Sequence, residues 1–581
     1  MSDNHAFGRP IPDDGRGVVE TMRTEMAAIS NNFNAVKSSN KSHVHHLEEL
    51  SQCFEDIFLS TDHSDVTLVL DDGSEFPAHR LILAVRSSFF RAMMYNGFQE
   101  SHQKRVSLHE TNSVAFKAIL QYMYTSKIDF AGVELDILLE YLSLAHRYDL
   151  SQLMTAISEY FKEILKNENL CSIFNAAYFF QFEDLIDYCM QYSDRYADQL
   201  LDDPSFSKLS GDSLKELLGR DSFYANELKI FNAVRTWHSN NPTLKKASKE
   251  LLNLVRLPLI SQNELLNFVR PTGLVDADDL LDAIEIQTQK HSKIPYRGCK
   301  NLDSNIIPQY PIVQPLSREV SSRFTVEENI SVFHLDLGKP FIINTIIMDL
   351  NWKTDVQSFS YQIHVGMEDR CDGHWTQVAD YSNYVCRGMQ RVFMEDSVVR
   401  YILIKVSDPL AFRLDASRIE AMYSSETMPV DPATKIIVPH RNIATIENHA
   451  RVVEGVSRCR NALINGDITS YDWDTGYTCH QIGSGLIMVQ LAQPYIISSM
   501  RILLWNCDDR FYSYYVAVST NQDDWITIVD RTNEECRGWQ ELLFDPLPVV
   551  FIRIVGTRNS INEVFHVVHL EAPSNVPIAV K

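Results

Sequence analysis

Between residues 461 and 485 the chain reads NALINGDITSYDWDTGYTCHQIGSG, with Asp467, Asp472 and Asp474 set among glycines and aromatics. Carboxylates at such short intervals around Gly are the donor type of a calcium loop, which takes six to eight oxygens. The spacing is not that of an EF-hand. A second acidic stretch, WNCDDRFYS at 505–513, supplies Asp508, Asp509 and Arg510. Catalysis asks for more than acidic loops. The chain offers no paired general acid and base, no nucleophile elbow, no HExxH, no phosphate loop and no zinc cluster, so an enzyme is not expected and no cofactor is implied. The GSG at 483–485 is a turn signal and no nucleotide site.

Composition narrows the partners. The chain has 581 residues, enough for several domains, and a net charge of −23. That balance favours solubility and argues against a binder of nucleic acid, which needs clustered Lys and Arg. No window supplies the ~18 apolar residues of a membrane span. PFIINTIIMDL comes nearest and is interrupted by Asn344 and Asp349. The ten cysteines form no CxxC pair and no dense framework, as in a reducing compartment. A cytoplasmic location is expected, or a nuclear one.

These loops need elements to hold them. Residues 1–45 are polar, weakly patterned and expected to be flexible. DVTLVL and EFPAH, around Asp71-Asp72-Gly73, predict a β-hairpin. RLILAVRSSFFRAMMYNGF then has helical spacing, with Leu83, Phe90 and Met94 on one stripe. Further amphipathic helices complete a small α+β domain over 46–150. Residues 151–294 are helical by period, and Ser213 followed by Glu216 predicts a capping box. A segment rich in Pro, Ser and Asn at 295–320 reads as a linker or an irregular lead-in.

Beyond it the period becomes two and the sequence repeats. LDLGKPFIINTI (335–346) matches VQLAQPYIISSM (489–500), SFSYQIHVG (358–366) matches FYSYYVAVS (511–519), VCRGMQRVFM (385–394) matches ECRGWQELLF (535–544), and VRYILIKV (399–406) matches VVFIRIVG (549–556). Two copies at so long a period are a duplicated domain, and many short strands with regular turns predict a β-sandwich in each. The copies are placed at 321–425 and 446–575, with 426–445 as a linker and 576–581 as a tail.

DVTLVLDDGSEFPAHRLILAVRSSFFRAMM resembles the core of a BTB (POZ) domain. RDSFYANELKIFNAVRTWHSNN and LLNLVRLPLISQNELLNFVRP resemble a BACK domain. The β repeats resemble discoidin, or coagulation factor V/VIII C-type, domains. In this order they resemble the BTB/POZ domain-containing protein 9 family. The first copy departs from the pattern at its start, where no acidic cluster stands.

The resemblance implies roles. Phe98, Gln99 and Glu100 match the hydrophobic-x-Glu segment with which BTB proteins contact cullin-3: an apolar anchor for a groove, and a carboxylate for orientation. Asp65 and Arg80 match a charged pair near a BTB homodimer interface, and His79 a structural residue beside it. Asp467 lies where some discoidin-type domains hold calcium, with Glu571 as a possible further ligand, although a turn with Asp467 bonding local backbone N–H groups is the favoured reading. Tyr471, Asp472, Asp474, Asp508, Asp509 and Arg510 fall in loops that would recognise a partner. The function implied is a homodimeric substrate adaptor of a cullin-3 ubiquitin ligase, with an unknown substrate on the discoidin domains. The alternative is a BTB-dimerised scaffold that binds protein, glycan or lipid without a ligase.

Overall fold

The computed structural model describes residues 47–95, 99–289, 294–307, 330–349, 359–368, 375–407, 418–472, 474 and 476–573. The segment expected to be flexible, residues 1–45, the tail 576–581, Phe98 and Trp473 lie outside the described residues. Two compact units emerge, residues 1–164 and 165–581.

In the first unit, helix α1 (Leu47–Asp56) precedes strands β1 (Val66–Leu70) and β2 (Glu75–Ala78), which pair antiparallel across the expected turn. Gly73 there takes φ +84°, open to Gly at little steric cost. Strand β3 (Arg105–Leu108) joins β1 in parallel. The stripe of Leu83, Phe90 and Met94 is buried, but it spans two helices, α2 (Arg80–Arg86) and α3 (Ser88–Tyr95). Ser87 breaks the helix because its backbone is extended and its hydroxyl is in use. Oγ donates to Tyr148 O at 2.6 Å and accepts from Phe90 N–H. Helices α4 (Ser113–Thr125), α5 (Leu135–Arg147) and α6 (Ser151–Ile164) complete the unit. Helix α6 was expected in the following domain. Its buried Leu153, Ile157 and Phe161 instead belong to the first unit, next to α5.

The second unit opens with helices α7 (Asn167–Phe179), α8 (Glu183–Arg195), α9 (Ala197–Asp202), α10 (Gly211–Gly219), α11 (Glu227–Asn240), α12 (Lys245–Leu252) and α13 (Ala277–Thr288). The expected capping box lies one turn too late. Ser210 is the N-cap of α10, its Oγ accepting from Ser213 N–H at 3.0 Å, while Ser213 is buried inside the helix.

Two sheets follow. The first holds β4 (Cys299–Lys300), β5 (Ile330–Asp349), β6 (Phe359–Gly366), β7 (Trp375–Cys386), β8 (Met389–Ser407) and β9 (Ile419–Met422). Its order is β4-β5-β8-β6-β7, with β9 also on β5. The second holds β10 (Arg451–Glu454), β11 (Thr478–Gln481), β12 (Ile487–Leu504), β13 (Tyr512–Ser519), β14 (Ile526–Cys536), β15 (Trp539–Asn559) and β16 (Val564–Glu571). Its order is β11-β16-β12-β15-β13-β14. The repeated segments therefore occupy the same places: β9-β5-β8-β6-β7 in one copy, β16-β12-β15-β13-β14 in the other. Even the bulges coincide. Register shifts fall between Asp336 and Phe341 and between Ile343 and Thr345 in β5, and at the matching Gln490/Tyr495 and Ile497/Ser499 in β12.

The copies begin earlier than expected. Asn305 Oδ1 accepts from Ile307 N–H and Ala421 N–H, as Asn442 Oδ1 accepts from Ala444 N–H and Ala572 N–H. Cys299 pairs in parallel with Phe341, as Ile437 bridges Tyr495. Residues 295–307 and 426–445 are thus built into the sheets rather than strung between them, and Ile436, Ile437, Ile443 and Ala444 are buried.

Arg297 locks the helices to the first sheet. Its guanidinium is buried, 3.0 Å from Glu227, and also donates to the carbonyls of Leu218, Arg220 and Leu254. Next to it, Gly298 N–H reaches Asp221 O at 2.9 Å, and a Cβ on Gly298 would meet Val398 at 2.9 Å.

Candidate partner-binding site

The loop after α3 is held from below. Its short helical turn, Gln99–His102, carries Glu100, which is half-buried. Phe98 and the Gln99 side chain lie outside the described residues. Arg80 ties this turn down: its guanidinium donates to Ser101 O at 2.9 Å, to Gln103 O, and to Met94 Sδ at 3.5 Å.

The expected charged pair of Asp65 and Arg80 is therefore corrected. The Asp65 carboxylate accepts the Arg80 backbone N–H at 2.8 Å, satisfying a free donor at the start of α2, while the guanidinium serves main-chain carbonyls. His79 is hydrogen-bonded through both ring nitrogens. Its ring meets the Tyr124 hydroxyl through Nδ1 at 2.8 Å and Asp62 O through Nε2 at 3.1 Å. The same hydroxyl accepts the His79 backbone N–H at 3.0 Å. Burial pushes the Tyr124 phenol up to about 12.

A cavity of about 610 Å³ opens between α1, α2 and the end of α4, lined by Leu50, Phe54, Leu81, Ile82, Val85 and Met123 among others. Leu81 and Val85 are 67% and 65% exposed, in adjacent turns of α2. Leu50, Leu81 and Val85 give this face a contiguous exposed apolar patch.

At one end of the second β unit the two acidic stretches meet. Tyr471 donates from Oη to Asn506 Oδ1 at 2.7 Å, and its ring stands edge-on to buried Trp505. Gly476 makes this closure possible: φ is +82°, and a Cβ there would lie 2.5 Å from the Tyr471 Cβ. Arg510, itself buried, grips Asp508 with Nε and Nη2 at 2.7 and 2.6 Å and holds that carboxyl below its usual range. Fully exposed Asp509 pairs with Arg537 at 3.1 Å, and Arg537 also reaches Asn506 O.

On the neighbouring turn, Asp472 accepts the Asp474 N–H and Asp474 pairs with Arg458. Tyr471, Asp508, Asp509 and Arg510 thus assemble around Asn506. Reading the sequence alone missed Asn506, Arg458 and Arg537. Asn506 and Arg537 sit inside quoted motifs, WNCDDRFYS and ECRGWQELLF, whereas Arg458 bears no local signal and is recruited from elsewhere in the chain.

Asp467 does what the favoured reading expected. Oδ1 accepts from Thr469 N–H at 3.0 Å and Ser470 N–H at 2.9 Å, and these bonds hold its carboxyl below the usual range. Glu571 is corrected as a candidate ligand. Its carboxylate is committed to Arg501 through two bonds of 2.8 and 3.1 Å. Among the described residues no group of three or more His, Cys, Asp or Glu stands together as a metal site. Among them, too, no helix is long and apolar enough to cross a membrane.

Comparison with known proteins places these parts. Family models match BTB/POZ over residues 54–165, BACK (BTB And C-terminal Kelch) over 170–270 and F5/8 type C over 454–568. BTB/POZ domain-containing protein 9 of Homo sapiens is 40% identical, the match covering 91% of this chain and 89% of the relative. The Drosophila melanogaster protein of that name is 38% identical over 89% of this chain and 73% of the relative. Human Kelch-like protein 24 is 29% identical over 41% of this chain and 39% of its own length. The N-terminal region is BTB and BACK, and the C-terminal β region contains an F5/8 type C domain.

Proposed function

The chain belongs to the BTB/POZ domain-containing protein 9 family, and from that premise we propose that it is a non-enzymatic, homodimeric substrate adaptor of a cullin-3 ubiquitin ligase. The BTB and BACK domains dock cullin-3, and the β region presents the substrate. Its mechanism is proximity: joining enzyme and substrate on one body raises effective concentration and asks no catalytic residue of the adaptor. The pairing of BTB with BACK, shared with Kelch-like relatives, supports this reading.

The observation that carries it is the turn bearing Glu100, held by Arg80 against the body of the BTB domain. A recognition carboxylate fixed before binding loses little freedom on binding. The exposed α1–α2–α4 patch is the natural seat of the homodimer. The shared strand order, bulges and Asn305/Asn442 anchors support a second discoidin-type domain in the first β unit, with a shorter lead-in. The rigid loop cluster around Asn506 is the surface offered to substrate, and it also serves the alternative reading, a dimeric scaffold that needs no ligase.

Titration of the full chain with the N-terminal domain of cullin-3 separates the two. Submicromolar binding that Phe98→Ala/Glu100→Ala weakens tenfold or more, a change of at least ~1.4 kcal/mol, is the expected result. No binding by the folded wild type would leave only the scaffold.

A further inference from the structure

The two β units are joined by an interface whose halves lie on different parts of the same module. The first unit contributes a turn, Arg387–Gln390, and the second a bend in β12, Ala492–Gln493. Arg387 N–H and Gln390 Nε2 both donate to Ala492 O, at 2.8 and 3.0 Å. The Gln493 side chain accepts from Arg391 N–H at 2.7 Å and donates to Arg391 O at 2.8 Å. Gln390, Ala492 and Gln493 are buried by this contact.

Because the units are copies, each also carries the other half, and neither of these has the sibling unit against it. The second unit repeats the turn at Arg537–Gln540. Gly538 has φ 66°, against 68° at Gly388, and Gln540 Nε2 folds back on Arg537 O at 3.0 Å as Gln390 does on Arg387 O. Here Arg531 of the same unit donates to Gln540 Oε1 and, at 2.9 Å, to Glu541 O, while Trp539 and Leu543 are 37% and 57% exposed. In the first unit Gly338–Lys339 stand at the matching bend, Gly338 at φ 80° where Ala492 is not left-handed, and both residues are exposed where their counterparts are buried.

The free halves are also complementary in charge. Arg391 corresponds to exposed Glu541, and Gln493 to exposed Lys339, whose ammonium rests 5.3 Å from the Phe341 ring. Laying the second unit's turn on the first unit's bend would exchange an amide-to-backbone contact for a carboxylate–ammonium pair.

We propose that separate chains associate head to tail, the Arg537–Gln540 turn of one seating on the Gly338–Lys339 bend of a second copy. A heterologous contact does not close on itself as a two-fold dimer does; it continues into rings or open arrays. BTB pairing uses other residues, so the two associations combine.

Sedimentation velocity of the full chain from about 1 µM to about 100 µM, the range of weak specific contacts, tests this. Mass is expected to climb with concentration beyond the species present at the lowest concentration. Lys339→Glu and Glu541→Lys should each weaken that climb tenfold or more, and the double variant Lys339→Glu/Glu541→Lys should restore it. The three variants change surface charges and leave the cores intact. A mass independent of concentration, a climb that neither single swap alters, or a double swap that fails to restore it would overturn the proposal.

Discussion

Two β units share a strand order, two bulges and an asparagine anchor, and they differ at their rims. In the first, the Arg387 turn is buried against its sibling; in the second, the matching turn has no sibling against it and is braced within its own unit by Asp509, Asn506 and Arg531. The interval from Asn305 to Leu335 is shorter than that from Asn442 to Val489, and the acidic turns of the second unit fall within the longer interval. The sheet is thus indifferent to what its loops carry. Both copies take part in the internal contact, one through its turn and the other through its bend, and the second alone carries the structured acidic end.

The sharpest way to break the comparison is at Gly556, whose counterpart is Val406. A Cβ at 556 would lie 2.1 Å from the Phe565 ring, and Gly556 N–H donates to His480 Nε2 at 2.9 Å. Gly556→Val should cost the second unit about 3 kcal/mol or more, at the upper end of overpacking effects. Hydrogen exchange should show β11–β16 opening while β5–β8 stay protected. Equal loss in both units would mean that they unfold as one.

Glu227→Ala tests the other side. Removing one partner of a buried pair strands Arg297, at about 3–5 kcal/mol. Exchange should rise first in β4 and β5 and in α11, and last in β13–β15. No loss of stability would show that the carbonyls of Leu218, Arg220 and Leu254 suffice to hold Arg297.

Acid should separate the units more gently. Burial lowers His566 to about 4, and it lowers His480 and His569 in the same direction. A histidine whose folded pKa is depressed binds its proton better when unfolded. Stability is therefore full above pH ~6.5 and lost as pH falls towards 4, by on the order of 3 kcal/mol for His566 alone. In the first unit His364 shifts the same way, again through burial. The second unit should show the larger fall in urea midpoint between pH 7 and pH 4.5, and His566→Gln should reduce it. An equal fall in both would assign the acid sensitivity elsewhere.

The smallest effect concerns calcium. With Asp467 engaged by backbone N–H groups and Glu571 by Arg501, millimolar calcium should leave the thermal midpoint of the second unit unchanged. An increase abolished by Asp467→Asn would identify a site there.

Much of this was legible in the sequence. The hairpin, the repeat and the β character of the C-terminal half follow from turn chemistry and period, which are local. What the sequence hid was long-range partnership. Asp65 and Arg80 look like an ion pair by type, but a helix start claimed the carboxylate and main-chain carbonyls claimed the guanidinium. Ser213 reads as a cap until the helix is placed, when Ser210 takes that position. Asn305, Asn442 and Arg297 lie in stretches that read as loops, and each acquires its role only from strands or helices far along the chain. The loop cluster was half-visible: its acids, Arg510 and Arg537 fall in the motifs, but the pairing of Arg537 with Asp509 and the part of Arg458 come from distant segments.

The amide knot between the β units has a consequence for how the chain is made. Arg387 and Gln390 leave the ribosome about a hundred residues ahead of Ala492 and Gln493, a delay on the order of 5–20 s at ordinary rates of synthesis. During that wait the Ala492 carbonyl and the Gln493 side chain that cover this turn are not yet made, the state in which a half-made protein is most open to wrong partners and to chaperones.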